Sequence, residues 1–248
     1  MEPEDFTPAV LPRKDWRPEN IVRVMTVVTM SWFGAMALAM MFVATRNQQG
    51  VELSPLVTLA VVGLAFHGVG LIAVARLVQS EHRTWAEAFG LTRTPLRAVG
   101  VAAGATVIVA PLVYLLHFAS SIVLRRLGLD PEPQEAVELL MKSGWAVRAA
   151  MAGFAVVLAP IVEELLFRGL LFPLFRDLGW SRVAWWGTAL AFGFIHLNAA
   201  AFVPLSAFGL FLAWLYARTG NLLAPITAHL LFNLIPFVTI ALGINWEP

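Results

Sequence analysis

Ala149-Ala-Met-Ala-Gly-Phe-Ala-Val-Val-Leu-Ala-Pro-Ile-Val-Glu-Glu-Leu-Leu-Phe-Arg168 is apolar enough to be most of a membrane-spanning helix, yet it holds two adjacent carboxylates and a guanidinium. An ionised carboxylate at that depth costs roughly 2.5–3.5 kcal/mol on insertion scales. Packing alone does not justify such a cost, so the stretch reads as a transmembrane helix that carries a functional site. Arg168 follows Glu164 by four residues, on the same helical face and with the acid N-terminal, so these two are predicted to pair. Adjacent helical positions differ by about 100°, so Glu163 must point elsewhere and is the less neutralised carboxylate. Pro160 removes a backbone donor and is predicted to kink the helix, opening room for water.

The rest of the chain agrees that lipid is the solvent. Of 248 residues 59% are apolar and 13% charged, with a mean hydropathy of +0.75, against roughly half and a quarter in a soluble domain. A globule of this size cannot bury that excess, which excludes a soluble enzyme. A net charge of +1 with no basic patch gives no case for nucleic acid. The absence of cysteine excludes disulfides, thiolate metal sites and a cysteine nucleophile.

Apolar runs at Val24–Thr45, Leu56–Val78, Ala98–Leu124, Val147–Phe172, Val183–Leu197, Ala200–Ala217 and Leu222–Ile244 predict an all-α polytopic bundle of about seven transmembrane helices, within a range of six to eight. Three divisions are expected. Residues 1–23, with four prolines and many charges, read as a disordered polar tail; residues 24–124 hold three N-terminal spans; residues 147–244 form the core. Pro133 to Met141 reads as an amphipathic surface helix. Eleven bases (Arg13, Lys14, Arg17, Arg23, Arg76, Arg83, Arg93, Arg97, Arg176, Arg182, Arg218) fall inside and five (Arg46, Arg125, Arg126, Lys142, Arg148) outside if the N-terminus is cytoplasmic, so that orientation is expected. The expected location is the plasma membrane of a prokaryote.

Four of the five histidines lie in apolar spans. His196 closes Phe192-Gly-Phe-Ile-His196, and His229 stands four residues before Asn233, which puts both on one face. His67 and His117 have no polar companion in their own turn and read as core histidines bonded to a neighbouring helix. The remaining set admits two chemistries. His196, His229 and Glu163 would suffice to hold Zn²⁺ with one position open for water. Equally, Glu163 helped by His196 would activate a water without metal, while His229 and Asn233 hold an oxyanion. An ion- or proton-coupled transporter also uses carboxylates and histidines in spans. Against it, the paired ionisable groups all lie in about the last 90 residues of the chain. A non-catalytic membrane scaffold or immunity protein is the third possibility.

Three motifs then fall in order: Glu163-Glu-Leu-Leu-Phe-Arg168 as Glu-Glu-x-x-x-Arg, Phe192 to His196 as Phe-x-x-x-His, and Thr219-Gly-Asn-Leu-Leu-Ala-Pro-Ile-Thr-Ala-His-Leu-Leu-Phe-Asn233 as Gly-x-Leu-x-Ala-Pro-x-x-x-His-x-x-x-Asn. Together they resemble the CAAX prenyl protease and bacteriocin-processing family (CPBP, or Abi) of intramembrane proteases. The resemblance covers residues 148–244, and Trp85-Ala-Glu-Ala-Phe-Gly-Leu91 is similar to the family's stretch ahead of its core. It implies that Glu163, Glu164, Arg168, Phe192, His196, His229 and Asn233 line a site open to the cytoplasm and to lipid. Peptide or protein substrates follow from it, whether prenylated CAAX tails, pheromones, leader peptides or bacteriocins. Seven spans are counted where eight are usual in that family, which is conventionally called metalloproteases although a glutamate mechanism has also been argued for it.

Overall fold

Pro18, Pro55 and Pro95 each stand at the start of a long apolar helix, where a missing N–H loses no intrahelical bond. In the computed structural model, which describes residues 14–47, 55–131 and 135–244, nine helices and no strand occur among the described residues. They are α1 (Pro18–Asn47), α2 (Pro55–Ser80), α3 (Trp85–Phe89), α4 (Pro95–Arg126), α5 (Glu135–Lys142), α6 (Trp145–Asp177), α7 (Val183–Phe194), α8 (Ala199–Thr219) and α9 (Leu223–Ala241). Six of these, α1, α2, α4, α6, α8 and α9, are long and apolar enough to cross a membrane, and α7 is a shorter apolar helix. The protein is an all-α polytopic membrane bundle; of the seven expected runs six are long enough to span, and the fifth, Val183–Leu197, forms the shorter α7.

The tail expected over residues 1–23 differs where it can be compared. Residues 1–13 lie outside the described residues, but Lys14, Trp16 and Ile21 are buried and α1 already begins at Pro18. The physical reason is anchoring: Lys14 Nζ donates to Ala88 O at 2.9 Å and its backbone N–H donates to Asp177 Oδ2 at 2.9 Å. The amphipathic stretch expected from Pro133 appears as α5, whose Leu140 is buried and whose Glu138 pairs with Lys142.

The kink expected at Pro160 takes the form of a wider helix. Gly153–Leu158 and Leu165–Leu171 are π-helical turns, each ending shortly before a proline, Pro160 and Pro173. Hydrogen bonding to the fifth residue relieves the clash of a pyrrolidine ring with the carbonyl one turn back. Glu163 and Glu164 sit between these two relaxed segments, and Arg168 lies within the second. Within the apolar windows of α6 and α8, 56% of residues are buried, against 11–22% for α1, α2, α4 and α9. The centre of the bundle is therefore α6 with α8, and α6 touches α1, α2, α3, α7, α8 and α9.

Helix α3 fixes the entry to α9. Thr84 and Glu87 form a capping box, and the hydrogen bonds from Thr84 hold the exposed Glu87 carboxyl below its ordinary range. Gly90 ends α3 at φ +68°, against the Gly220 carbonyl, where a Cβ would collide. Next to it, buried Asn221 donates to Arg93 O at 2.6 Å and accepts from Leu223 N at 2.9 Å. The Trp85–Leu91 stretch thus clamps the turn that precedes His229.

Candidate active site

Glu164 is fully buried and its Oε1 accepts from two directions. Arg168 Nη1 lies 2.8 Å away along α6, as the spacing predicts, and His229 Nδ1 lies 2.9 Å away on α9. Arg168 is itself fully buried, donates from Nη2 to Gly209 O at 2.9 Å on α8, and lies 4.6 Å from the Phe192 ring centroid. A cation over an aromatic face gains electrostatic energy when both are out of water. Gly209 has to be small for this: a Cβ there would stand 3.3 Å from Arg168 Nη2 and 3.1 Å from Ala189 Cα. One ion pair therefore ties α6 to α8 and α9.

Glu163 points to another quarter. Its Oε1 stands 3.1 Å from His67 Nε2 on α2, and its Oε2 faces His229 Nε2 at 3.9 Å, beyond hydrogen-bond length. Oε2 is buried with no hydrogen-bond partner. Phe192 packs its ring against those of His229, at 5.5 Å, and His196, at 5.1 Å. His196 is half-buried and its Nδ1 lies 2.8 Å from Phe192 O, which leaves Nε2 as the other edge. Glu163 lies within electrostatic reach of His67, His196 and His229.

The structure thus brings Glu163, Glu164, Arg168, Phe192, His196 and His229 together. Asn233 shares the face of His229, but its Nδ2 donates to Ala155 O of α6 at 2.8 Å, so that one of its two amide protons is committed to the backbone. His117 lies apart, hydrogen-bonded to the backbone at Ala200. His67, expected to be a plain core histidine, is in direct contact with Glu163. Its signal was not in its own turn because its partner is 96 residues away in the chain.

A zinc ion would need three donors converging on one point. Among the described residues no group of three or more His, Asp or Glu is arranged to hold a metal ion. As placed, Glu163, His196 and His229 do not fit that ion, and the chemistry below is derived from the side chains alone.

A buried carboxylate with one unpartnered oxygen thus lies beside imidazoles inside a membrane bundle. Residues 144–235 match the family described as Type II CAAX prenyl endopeptidase Rce1-like, and on this segment the resemblance to the CPBP family stands. A curated relative, named "Putative membrane peptidase YdiL" from Bacillus subtilis (strain 168), is 32% identical over 77 residues, which are 31% of this chain and 32% of that protein. The match thus spans about a third of the length of each. No solved structure matches the chain.

Proposed function

We propose that this protein is an intramembrane endopeptidase of CAAX-protease type, cleaving near the C-terminus or the membrane-proximal part of a peptide or protein substrate. The observation that carries this reading is Glu163 Oε2, a buried carboxylate oxygen without a partner beside two imidazoles. Glu164 Oε2, Arg168 Nε, Trp16 Nε1 and Tyr216 Oη are likewise buried without a partner, and Glu163 Oε2 is set apart from them by facing the His229 Nε2 edge at 3.9 Å.

Glu163 takes a proton from that water at Oε2, with His196 Nε2 orienting the water. The water oxygen bonds to the scissile carbonyl carbon, and the carbonyl oxygen becomes an oxyanion. The proton held by Glu163 then passes to the amide nitrogen as the C–N bond breaks, which frees an amine and a carboxylic acid. His229 is turned by its Nδ1–H to Glu164, so Nε2 is the edge that faces substrate and donates to the oxyanion when the ring carries its second proton. Asn233 supplies its remaining amide proton. Arg168 neutralises Glu164 and does not touch the reacting atoms.

Incubation of purified protein in detergent with a prenylated C-terminal peptide and with a leader peptide, each with and without a chelator, tests this. Cleavage that survives chelation and is absent from Glu163→Gln supports the metal-free route. Cleavage lost on chelation and restored by zinc assigns His196, His229 and Glu163 to the metal. No cleavage of any peptide counts against the peptidase. The N-terminus is proposed on the cytoplasmic side, and labelling of a single cysteine introduced in the Gly128–Asp130 turn checks it.

A further inference from the structure

Among the described residues of the first three spans, His67 is a buried ionisable side chain that reaches the site, and none of the three motifs contains it. Its Nδ1 stands 2.8 Å from Gly63 O. A carbonyl oxygen only accepts, so Nδ1 carries a proton in every state that keeps this bond. The other ring nitrogen, Nε2, then faces Glu163 Oε1 at 3.1 Å. Two bare acceptors do not rest at that distance, so a proton lies on the line between them, on the imidazole or on the carboxyl. Glu163 is a base only in the state with that proton on Nε2, where His67 donates to Oε1 and Oε2 is the oxygen left over.

The approach is built into α2. Gly63, His67 and Gly70 fall at i, i+4 and i+7, one stripe of the helix. A Cβ at Gly63 would stand 2.7 Å from Phe154 Cζ, and one at Gly70 would stand 2.9 Å from Val162 Cγ1, both side chains of α6. Small residues let two spans approach closely in lipid, where apolar packing has no solvent to drive it. The His67 ring is wedged edge-on between Phe66, at 4.9 Å, and Phe154, at 5.0 Å, so its rotamer is held.

We propose that His67 is a positioning residue of the active site: by holding Oε1 it selects Oε2 of Glu163 as the base and turns it toward the substrate. The first half of the chain then completes the site, beyond the segment that matches the family. This role rests on the peptidase reading.

The test compares wild type, His67→Leu and His67→Gln in detergent, reading kcat and KM for a cleaved peptide together with the thermal midpoint. His67→Leu is expected to lower kcat by about tenfold or more with KM within about twofold, the mark of an effect made in the transition state. His67→Gln, whose amide N–H can still donate to Oε1, is expected to recover most of the loss. Wild-type kcat in folded His67→Leu overturns the proposal, as does equal loss in both variants. If wild type cleaves nothing, the peptidase reading falls and the role of His67 in turnover falls with it. The contact is then judged on midpoints alone, from His67→Leu, Glu163→Gln and their double variant. Additive changes discard the pair, and non-additive changes keep it as a structural contact.

Discussion

The two halves of the chain solve the same problem, a helix in lipid, in opposite ways. From α6 onward the spans carry charge inward: Glu163, Glu164, Arg168 and His229 are buried, and Glu164 Oε1 is bonded to Arg168 and His229, with Arg168 reaching on to Gly209 O, so that three helices are joined. In α1, α2 and α4 the side chains that face outward are apolar, among them Met30, Leu38, Leu64, Ile72 and Val107. Yet α2 sends one imidazole into the centre. The difference teaches that a site in a bundle announces itself in sequence only where its residues repeat along one helix, whereas a lone contributor from a lipid-facing span is silent.

Arg168 should separate the halves most sharply. Its removal leaves Glu164 buried without its cation, which costs about 3–5 kcal/mol. Arg168→Ala is therefore expected to unfold at a much lower temperature in detergent and to lose activity with it. An inactive variant of unchanged midpoint would place the guanidinium on substrate.

Asn233 is expected to act on rate. Asn233→Ala should lower kcat by roughly 10²- to 10³-fold with little change in KM if its free amide proton serves the oxyanion. A rise in KM at constant kcat would reduce it to a clamp on the Ala155 carbonyl.

Gly70 sharpens the comparison within the first half. Gly70→Leu drives a side chain into Val162 and should cost about 1–3 kcal/mol by overpacking. Gly34→Leu and Gly100→Leu, with nothing within 4 Å of the added carbon, should leave the midpoint near wild type. Equal tolerance at all three would dissolve the close α2–α6 contact.

The smallest effect concerns Lys14. Burial, reinforced by Arg93, Arg83 and Arg176 and opposed by Asp177, pushes its ammonium down to about 8 from 10.5. Between those values the unfolded chain holds more protons than the folded one, so stability rises with pH across that window and is flat for this group below it. Lys14→Met should remove the rise, seen as a midpoint difference between pH 7.5 and pH 9.5 that wild type has and the variant lacks.

Much of the bundle was legible because lipid demands long apolar runs, and α1, α2, α4, α6, α8 and α9 declared themselves by length. The Glu164–Arg168 pair was legible from an i, i+4 spacing. Where sequence reasoning fell short, the determining contact was long-range. The anchoring of Lys14 depends on Asp177, which is 163 residues away, and the prolines of α6 gave π-turns that periodicity does not distinguish from a kink. His67 belongs here too, since a Gly-His-Gly stripe looks like packing until Glu163 is seen opposite.

The central claim is that Glu163, and not its neighbour, is the base. Peptide cleavage by Glu163→Gln and Glu164→Gln, both checked for folding, tests it most directly. Glu163→Gln is expected to keep the wild-type midpoint within a few degrees and to lose on the order of 100-fold or more in kcat. Near wild-type turnover in folded Glu163→Gln, with the loss confined to Glu164→Gln, would contradict the assignment.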